Sequence, residues 1–230
     1  MKKKLNLILN GKGGVGKSFF AANFVQFLKD NHIDHAALDT DNENSTLKRF
    51  HPESRFIDIN NVRELDELFA AIEGSALVVA DCRAASTEVF LSYFAELKVF
   101  DVLESMGASL SVISPVNHDL DSVEQIKMIA NAFDDHCEYL VVKNQALTEQ
   151  FTIYDSSKTR TRLVDELGAK EIMMPKLQDW VVGMIHQLNL PVGQAVQHPK
   201  FSLMDRQRLK NWQRRFSEQI ETVRDVVLPS

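Results

Sequence analysis

A stretch of nine residues near the amino terminus, NGKGGVGKS at 10–18, constrains this chain more than any other. It contains four glycines and lies between a short apolar run, Leu5–Leu9, and a segment of helical period over 20–28. Glycines let consecutive backbone N–H groups turn toward an anion, and a helix start adds unpaired N–H groups and a positive dipole end. The order strand, glycine loop, helix therefore predicts a phosphate-binding loop in an α/β domain.

Four residues of this stretch match the P-loop pattern: Gly11, Gly16, Lys17 and Ser18. Lys17 would bring a positive charge to the β- and γ-phosphates of a nucleotide, and the Ser18 hydroxyl is a hard oxygen ligand suited to Mg²⁺. We expect ATP and Mg²⁺ as cofactors, bound by Gly11, Lys12, Gly13, Gly14, Val15, Gly16, Lys17, Ser18 and Phe19. The alternative is a glycine-rich turn between strand and helix that binds no ligand.

Short apolar runs bounded by turn residues continue along the chain and alternate with longer stretches of helical period. Runs rich in Val, Ile and Leu that do not alternate with polar residues are typical of strands buried on both faces. The candidate strands are Leu5–Leu9, Ala36–Leu38, Ala76–Ala80, Leu110–Ile113, Tyr139–Val142 and, more weakly, Glu171–Met174. This alternation predicts an α/β fold, in which a mostly parallel twisted sheet is flanked by helices on both faces.

Composition bounds the size and the environment of the protein. Of its 230 residues 44% are apolar, enough for one sizeable core, and we interpret 1–230 as a single domain. The net charge of −6 argues against a surface covered in basic charge. Cys82 and Cys137 show no metal or disulfide spacing and are predicted to be reduced thiols in or near the core. No signal peptide and no apolar run of about 20 residues is found, so a cytoplasmic protein is expected.

Acidic residues stand at the ends of two candidate strands, where a phosphate site would need carboxylates. Asp39 and Asp41 end the second strand, and residues two apart on a strand end face the same way, so both carboxylates could point toward the phosphates. Asp81 follows the third strand. The alternative for Asp39 and Asp41 is that they cap the segment 42–55, which is predicted to be a long loop or a loop with a short helix.

The sequence KGGVGKS resembles the deviant Walker A loop of the ParA/MinD family of P-loop ATPases. The resemblance implies that Lys12 reaches across a dimer to the nucleotide of the other subunit, while Lys17 serves its own. The stretch Asp39–Asn42 is similar to the Asp-x-Asp-Pro motif of the family, with asparagine in place of proline. By that match Asp41 positions the attacking water and Asp39 supports the magnesium shell. The alternative for Lys12 is an exposed lysine that only adds positive field.

Three later stretches extend the resemblance. ALVVAD resembles a Walker B strand, which implies that Asp81 holds Mg²⁺ through water, together with Ser18. Arg83 stands where the family often has a proline; a surface arginine is the favoured interpretation, and contact with a phosphate or a partner chain is the alternative. YLVVKN and MMPKL imply that Asn144 hydrogen-bonds the adenine ring and that Pro175 holds the loop beside it.

A narrower likeness concerns LDTDNENST, VVADCRAAS, VISPVNHDL and the carboxy-terminal DRQRLKNWQRRFSEQI. These stretches look like the TraL-type members of the family, which are encoded in plasmid conjugal-transfer regions. The likeness implies a nucleotide-driven switch acting in plasmid conjugal transfer, mobilisation or partition. It also implies a homodimer formed on ATP binding and a protein partner from the same system.

An amphipathic helix with a basic face is predicted over 202–227, where Ser202 and Asp205 resemble a capping pair. The segment from Lys200 to Phe216 contains six lysines and arginines but one acidic residue. The favoured interpretation is a final core helix with a solvated basic face. A patch for nonspecific DNA and, less favoured, a helix lying on a membrane surface are the alternatives.

These observations favour an enzyme that binds ATP·Mg²⁺, hydrolyses it slowly and acts through a change of dimer state. The residues expected to carry the chemistry are Lys12, Lys17 and Asp41, with Ser18, Asp39 and Asp81 around the metal. One alternative is a small-molecule ligase or kinase on the same fold, similar to dethiobiotin synthetase. Another is an adaptor that holds nucleotide without turnover.

Overall fold

A parallel sheet of seven strands forms the centre of the molecule, in a computed structural model that describes residues 2–230. The strands are Lys3–Ile8 (β1), Ala36–Asp39 (β2), Arg55–Phe56 (β3), Leu77–Asp81 (β4), Ala108–Val116 (β5), Glu138–Asn144 (β6) and Lys170–Met174 (β7). Their order across the sheet is β3-β2-β4-β1-β5-β6-β7. The chain therefore winds outward from β1 in both directions, and the carboxyl ends of all strands share one edge.

Helices cover both faces of this sheet, which confirms the predicted α/β fold. They are Lys17–Asp30 (α1), Thr46–Phe50 (α2), Val62–Leu65 (α3), Glu67–Gly74 (α4), Thr87–Glu96 (α5), Val99–Ser105 (α6), Leu120–Phe133 (α7), Thr152–Asp155 (α8), Lys158–Thr161 (α9), Asp179–Leu188 (α10), Val192–Ala195 (α11), Leu203–Glu221 (α12) and Arg224–Val227 (α13). A short 3₁₀ turn at Asp134–His136 and a π turn at Arg162–Glu166 complete the secondary structure. No helix within residues 2–230 is long and apolar enough to cross a bilayer.

Two apolar cores lie on opposite faces of the sheet, because the central strands are apolar on both faces. All residues of β4 are buried, as are those of β1 after Lys3. One core packs the strands against α4, α5 and α7, and the other packs them against α1, α10 and α12. Cys82 and Cys137 are buried free thiols, as predicted.

The structure differs from the sequence-based expectations at two places. The predicted segment 42–55 contains α2, as one of its two interpretations held, but it ends in β3, a strand of two exposed residues that no apolar run announces. The predicted single helix over 202–227 is wrong at its end, since α12 stops at Glu221 and α13 starts at Arg224.

The break between α12 and α13 is explained by hydrogen bonds that the end of α13 makes with the sheet. The Ser111 hydroxyl donates to the carbonyl of Val226 over 2.6 Å, and the Asn6 amide donates to that of Val227 over 2.8 Å. Both donors are buried polar side chains of the central strands, and burying them without a partner would cost free energy. The turn at 222–223 brings these two carbonyls to the sheet.

Candidate functional site

The predicted P-loop runs from the end of β1 to the start of α1, at the edge where the carboxyl ends of the strands meet. Gly16 has φ of 100° and precedes the first residue of α1, in the left-handed region that favours glycine. A Cβ at Gly16 would collide with the Asn144 amide, and one at Gly11 would collide with Gln125 and Thr87. The first turn of α1 has neither a side-chain cap nor an acidic residue, so its N–H groups are available to an anion.

Neighbouring strands hold the backbone of this loop in place. The Asn10 amide donates to the carbonyls of Pro115 and Ser122, with N···O distances of 3.0 Å in both cases. Its oxygen accepts from the Lys12 N–H. The Asn144 amide donates to the carbonyl of Val15 over 2.9 Å. Sequence reasoning missed Asn10, although its place as the first residue after the apolar run of β1 is a usable signal.

The two lysines of the loop lie in different environments. Lys17 is buried, and its ammonium donates to the carbonyl of Lys12 over 2.9 Å, inside the loop. Burial lowers the pKa of Lys17, and the negative charge of Asp81 partly offsets this. Lys12 is about one third exposed and points to the start of α7, where its ammonium lies 2.9 Å from the Asp121 carboxylate and 3.8 Å from that of Asp119. The hydrogen bond with Asp121 raises the pKa of Lys12.

Asp81 lies at the end of β4, beside Ile8 of β1 and Asp39 of β2 in the sheet register. Its side chain is almost fully buried, and neither carboxylate oxygen has a hydrogen-bond partner within the described part of the chain. Burial, together with the charge of Asp39, raises the pKa of Asp81 to about 8, while the Ser18 hydroxyl and Lys17 act in the opposite direction.

A divalent cation fits this arrangement. Through its bound water it would give the two Asp81 oxygens the partners that they lack, and the Ser18 hydroxyl is a hard oxygen nearby that could bind the cation. Among residues 2–230, no group of three or more His, Cys, Asp or Glu side chains is placed to hold a metal ion. This agrees with the chemistry of Mg²⁺ in nucleotide sites, where phosphate oxygens and water supply most ligands.

Asp39 and Asp41 turn their carboxylates toward the backbone that follows them. Asp39 is buried and accepts hydrogen bonds from the N–H groups of Asp41 and Lys48, with N···O distances of 2.9 Å in both cases. Burial raises the pKa of Asp39 although these two hydrogen bonds lower it. Asp41 accepts from the N–H groups of Glu43 and Asn44. Burial opposes ionisation of Asp41, but the hydrogen bonds outweigh it and its pKa is lowered. In this structure both carboxylates adopt the capping arrangement that the sequence left open as an alternative.

The remaining predicted residues lie on the opposite side of the loop. Asn144 uses both ends of its amide, since its oxygen also accepts from the Ala146 N–H over 3.0 Å. The Pro175 carbonyl accepts from the Trp212 indole over 2.6 Å. The Phe19 ring packs edge-on against Trp212, with ring centroids 5.5 Å apart. The roles of Asn144 and Pro175 toward an adenine ring stay predictions.

A hollow of about 750 Å³ lies at the amino ends of the strands and is lined by Lys2, Phe94, Lys98 and His136 among others. It has no glycine loop and no helix start of the kind found at the other edge. The chemistry of phosphate binding therefore places the candidate site at the P-loop, not in this hollow.

The fold and the loop define the class of the protein: it is an α/β P-loop protein whose site suits a nucleotide with Mg²⁺. A family model described as the CobQ/CobB/MinD/ParA nucleotide binding domain matches residues 7–171. The chain belongs to this family, and the predicted ParA/MinD resemblance is confirmed.

Curated relatives match nearly the whole chain. MobD of Acidithiobacillus ferrooxidans is 24% identical over an alignment of 230 positions, which covers 97% of this chain and 99% of MobD. A TraL protein of Escherichia coli is 28% identical over an alignment of 241 positions, which covers 95% of this chain and 97% of TraL. The chain is therefore a ParA/MinD-type ATPase related to TraL.

Solved structures agree with the fold. The septum site-determining protein MinD complexed with Mg-ADP from Pyrococcus horikoshii matches with a TM-score of 0.57 and 16% identity, over 97% of this chain and 96% of that one. A ParA family ATPase from Chlorobium tepidum matches with a TM-score of 0.55 and 14% identity, over 92% and 98%. At these identities the likeness concerns the fold alone.

Proposed function

We propose that this protein is an ATP-dependent dimerisation switch: it binds ATP·Mg²⁺, pairs face to face with a second copy and is released by slow hydrolysis. One observation carries the proposal. Lys17 already occupies the inside of the loop, while the Lys12 ammonium lies outside it and is held only by exposed carboxylates. A second copy that brings its own bound triphosphate can therefore draw Lys12 away at small cost, since exposed ion pairs are weak.

Each site residue of one subunit has its own role in binding and hydrolysing ATP. Lys17 moves from the Lys12 carbonyl to the phosphates and, with the loop N–H groups, stabilises the charge of the transition state. Ser18, and Asp81 through water, would hold Mg²⁺, which would supply neutralisation of phosphate charge, and Asp39 would support that shell. Asp41, whose pKa is lowered, stays ionised at neutral pH, and it orients the attacking water after its carboxylate leaves the N–H groups of Glu43 and Asn44. Lys12 completes the site of the partner.

The test compares the wild type with Lys12→Ala. Molar mass in solution is measured by light scattering with ADP and with ATP, both with Mg²⁺, and phosphate release is measured in parallel. The wild type is expected to double its mass with ATP only. Lys12→Ala is expected to bind ADP with the wild-type affinity, to stay monomeric with ATP and to lose at least about tenfold in turnover.

Lys127→Ala is the matched control, because Lys127 is an exposed lysine of α7 that pairs with Glu124 outside the site. It should behave as the wild type. A wild type that stays monomeric with ATP, or a Lys12→Ala variant with unchanged turnover, would contradict the switch. Unchanged turnover would favour the small-molecule ligase or kinase, and nucleotide binding without any phosphate release would favour the adaptor.

We also propose that the switch serves plasmid conjugal transfer, mobilisation or partition, with a protein partner of that system and nonspecific DNA as the surface on which it acts. The sequence similarity to MobD and TraL supports a role in a plasmid system. The apolar side of α12 is buried at Leu209, Trp212 and Phe216, so this helix offers DNA its cations rather than offering a membrane an apolar face. Phosphate release should rise with DNA, and less so at higher salt, but not with anionic vesicles.

A further inference from the structure

Arg83 follows the Asp81 strand end and is half-buried at the edge of the candidate site. Its backbone N–H donates to the Thr40 hydroxyl over 2.9 Å, which fixes the start of the side chain. The guanidinium donates to the Asn60 side chain over 3.2 Å. Its Nε–H, however, is buried and has no hydrogen-bond partner within residues 2–230. Burying a charged donor without a partner costs free energy, so an added acceptor at Nε would be favourable.

The surroundings of Arg83 show where such a ligand would lie. Arg83 lines a cavity of about 330 Å³ together with Asp41, Asn42, Glu43, Asn44, Ala84 and Ala85. The same turn packs against the P-loop, because the Ala85 N–H donates to the Gly11 carbonyl over 2.9 Å. The positive charge of Arg83 is also one of the causes that lower the pKa of Asp41. The cavity thus joins the arginine and the carboxylate that we assign to the attacking water, and the turn that carries Arg83 is hydrogen-bonded to the P-loop at Gly11.

We propose that Arg83 binds the terminal phosphate of ATP within its own subunit and so makes the site prefer a triphosphate over a diphosphate. This inference rests on the proposed function, because it concerns the same site. A guanidinium can give two parallel N–H bonds to phosphate oxygens, and charge-assisted bonds of this kind are the strong ones. ADP has no γ-phosphate and leaves Nε without a partner, whereas ATP provides the missing acceptor.

The experiment measures the affinities of ADP and of a slowly hydrolysed ATP analogue, with Mg²⁺, by calorimetry, both in the wild-type background and in the Lys12→Ala background, where the chain is expected to stay monomeric. The wild type is expected to prefer the triphosphate. Arg83→Gln should keep the ADP affinity within about twofold and lose about tenfold of the preference, as expected for one charged hydrogen bond. Arg83→Lys should retain part of the preference, because it keeps the charge but not the paired N–H groups.

Asn60→Ala is the matched control, since it removes the side-chain partner of the guanidinium and leaves Arg83 in place. It should keep the preference for the triphosphate, and the unfolding temperature of each variant without nucleotide should stay near the wild-type value. A preference unchanged in Arg83→Gln would overturn the proposal, and so would an equal loss of ADP and ATP binding. A further outcome is that Arg83→Gln lowers the preference for the triphosphate in the wild-type background but leaves it unchanged in the Lys12→Ala background. Arg83 would then bind the nucleotide of the partner subunit, and the assignment within one subunit would be overturned. If the wild type binds no ATP analogue at all, the proposed function itself fails.

Discussion

The two lysines of the P-loop are five residues apart, yet they differ in burial, partner and direction of pKa change. Lys17 is buried, donates to a backbone carbonyl and has a lowered pKa. Lys12 is more exposed, pairs with side chains of another helix and has a raised pKa. The same residue type therefore meets a desolvated site in one case and a solvated ion pair in the other.

In the proposed switch, this difference decides which lysine serves the nucleotide of its own subunit. A buried cation near a buried carboxylate is costly until an anion or a metal arrives, so the Lys17–Asp81 side of the loop is arranged for ligand rather than for stability. An exposed ion pair is cheap to break, so Lys12 can change partners.

The largest effect is expected from Lys17→Ala. Removing the charge inside the loop should weaken both ADP and ATP binding by about 100-fold or more, since a desolvated charge pair is lost. Without nucleotide the variant should be no less stable than the wild type, because a buried cation has been removed. Titration calorimetry and urea unfolding measure the two effects. Nucleotide binding within a few fold of the wild type would show that Lys17 is not the internal phosphate ligand.

The next effect concerns Asp81, the carboxylate on the Lys17 side. With its pKa raised from 3.8 to about 8, the folded protein holds a proton between about pH 4 and pH 8 that the unfolded chain has released. The free energy of unfolding should therefore fall as pH rises through this interval. Asp81→Asn does not titrate, so it should be the more stable protein at pH 8, by a few kcal/mol as an order of magnitude.

Urea unfolding of both proteins at pH 5, 6.5 and 8 checks this, without Mg²⁺ and with Mg²⁺·ATP added. Adding Mg²⁺·ATP should stabilise the wild type at pH 8 far more than Asp81→Asn, because the variant has lost a metal ligand. Glu124→Gln, an exposed acid on α7, is the control and should not alter the pH profile. Parallel pH profiles for wild type and Asp81→Asn would contradict the burial argument.

The P-loop and most of the strands could be predicted from the sequence, whereas β3 could not. The spacing of Gly11, Gly16, Lys17 and Ser18, next to an apolar run, was enough to predict the loop and the strand before it. The six apolar runs gave strands because β-branched and leucine-rich segments suit a sheet buried on both faces. By contrast β3 has two exposed residues and carries no such signal.

What could not be predicted depends on tertiary contacts. Asp119 and Asp121 meet Lys12 only because β5 lies next to β1 in the sheet, and this strand order is not a property of either segment alone. Strand alternation correctly put Asp39 and Asp41 at one strand end, but backbone N–H groups of the next turn compete for their carboxylates. A pattern can place a side chain at an edge, but not decide which partner it takes there.

The smallest effect is expected from Asp121→Asn, which weakens the pair that holds Lys12 within its own subunit. If Lys12 must leave Asp121 to reach a second copy, the variant should dimerise with ATP about two- to threefold more tightly than the wild type at low salt. The gain should shrink toward zero at high salt, where the ion pair of the wild type is already screened. Analytical ultracentrifugation with a non-hydrolysed ATP analogue measures this, and Glu124→Gln on the same helix should show no gain. Weaker dimerisation of Asp121→Asn would mean that this carboxylate supports the dimer, and Lys12 would then act in a position fixed by its own subunit.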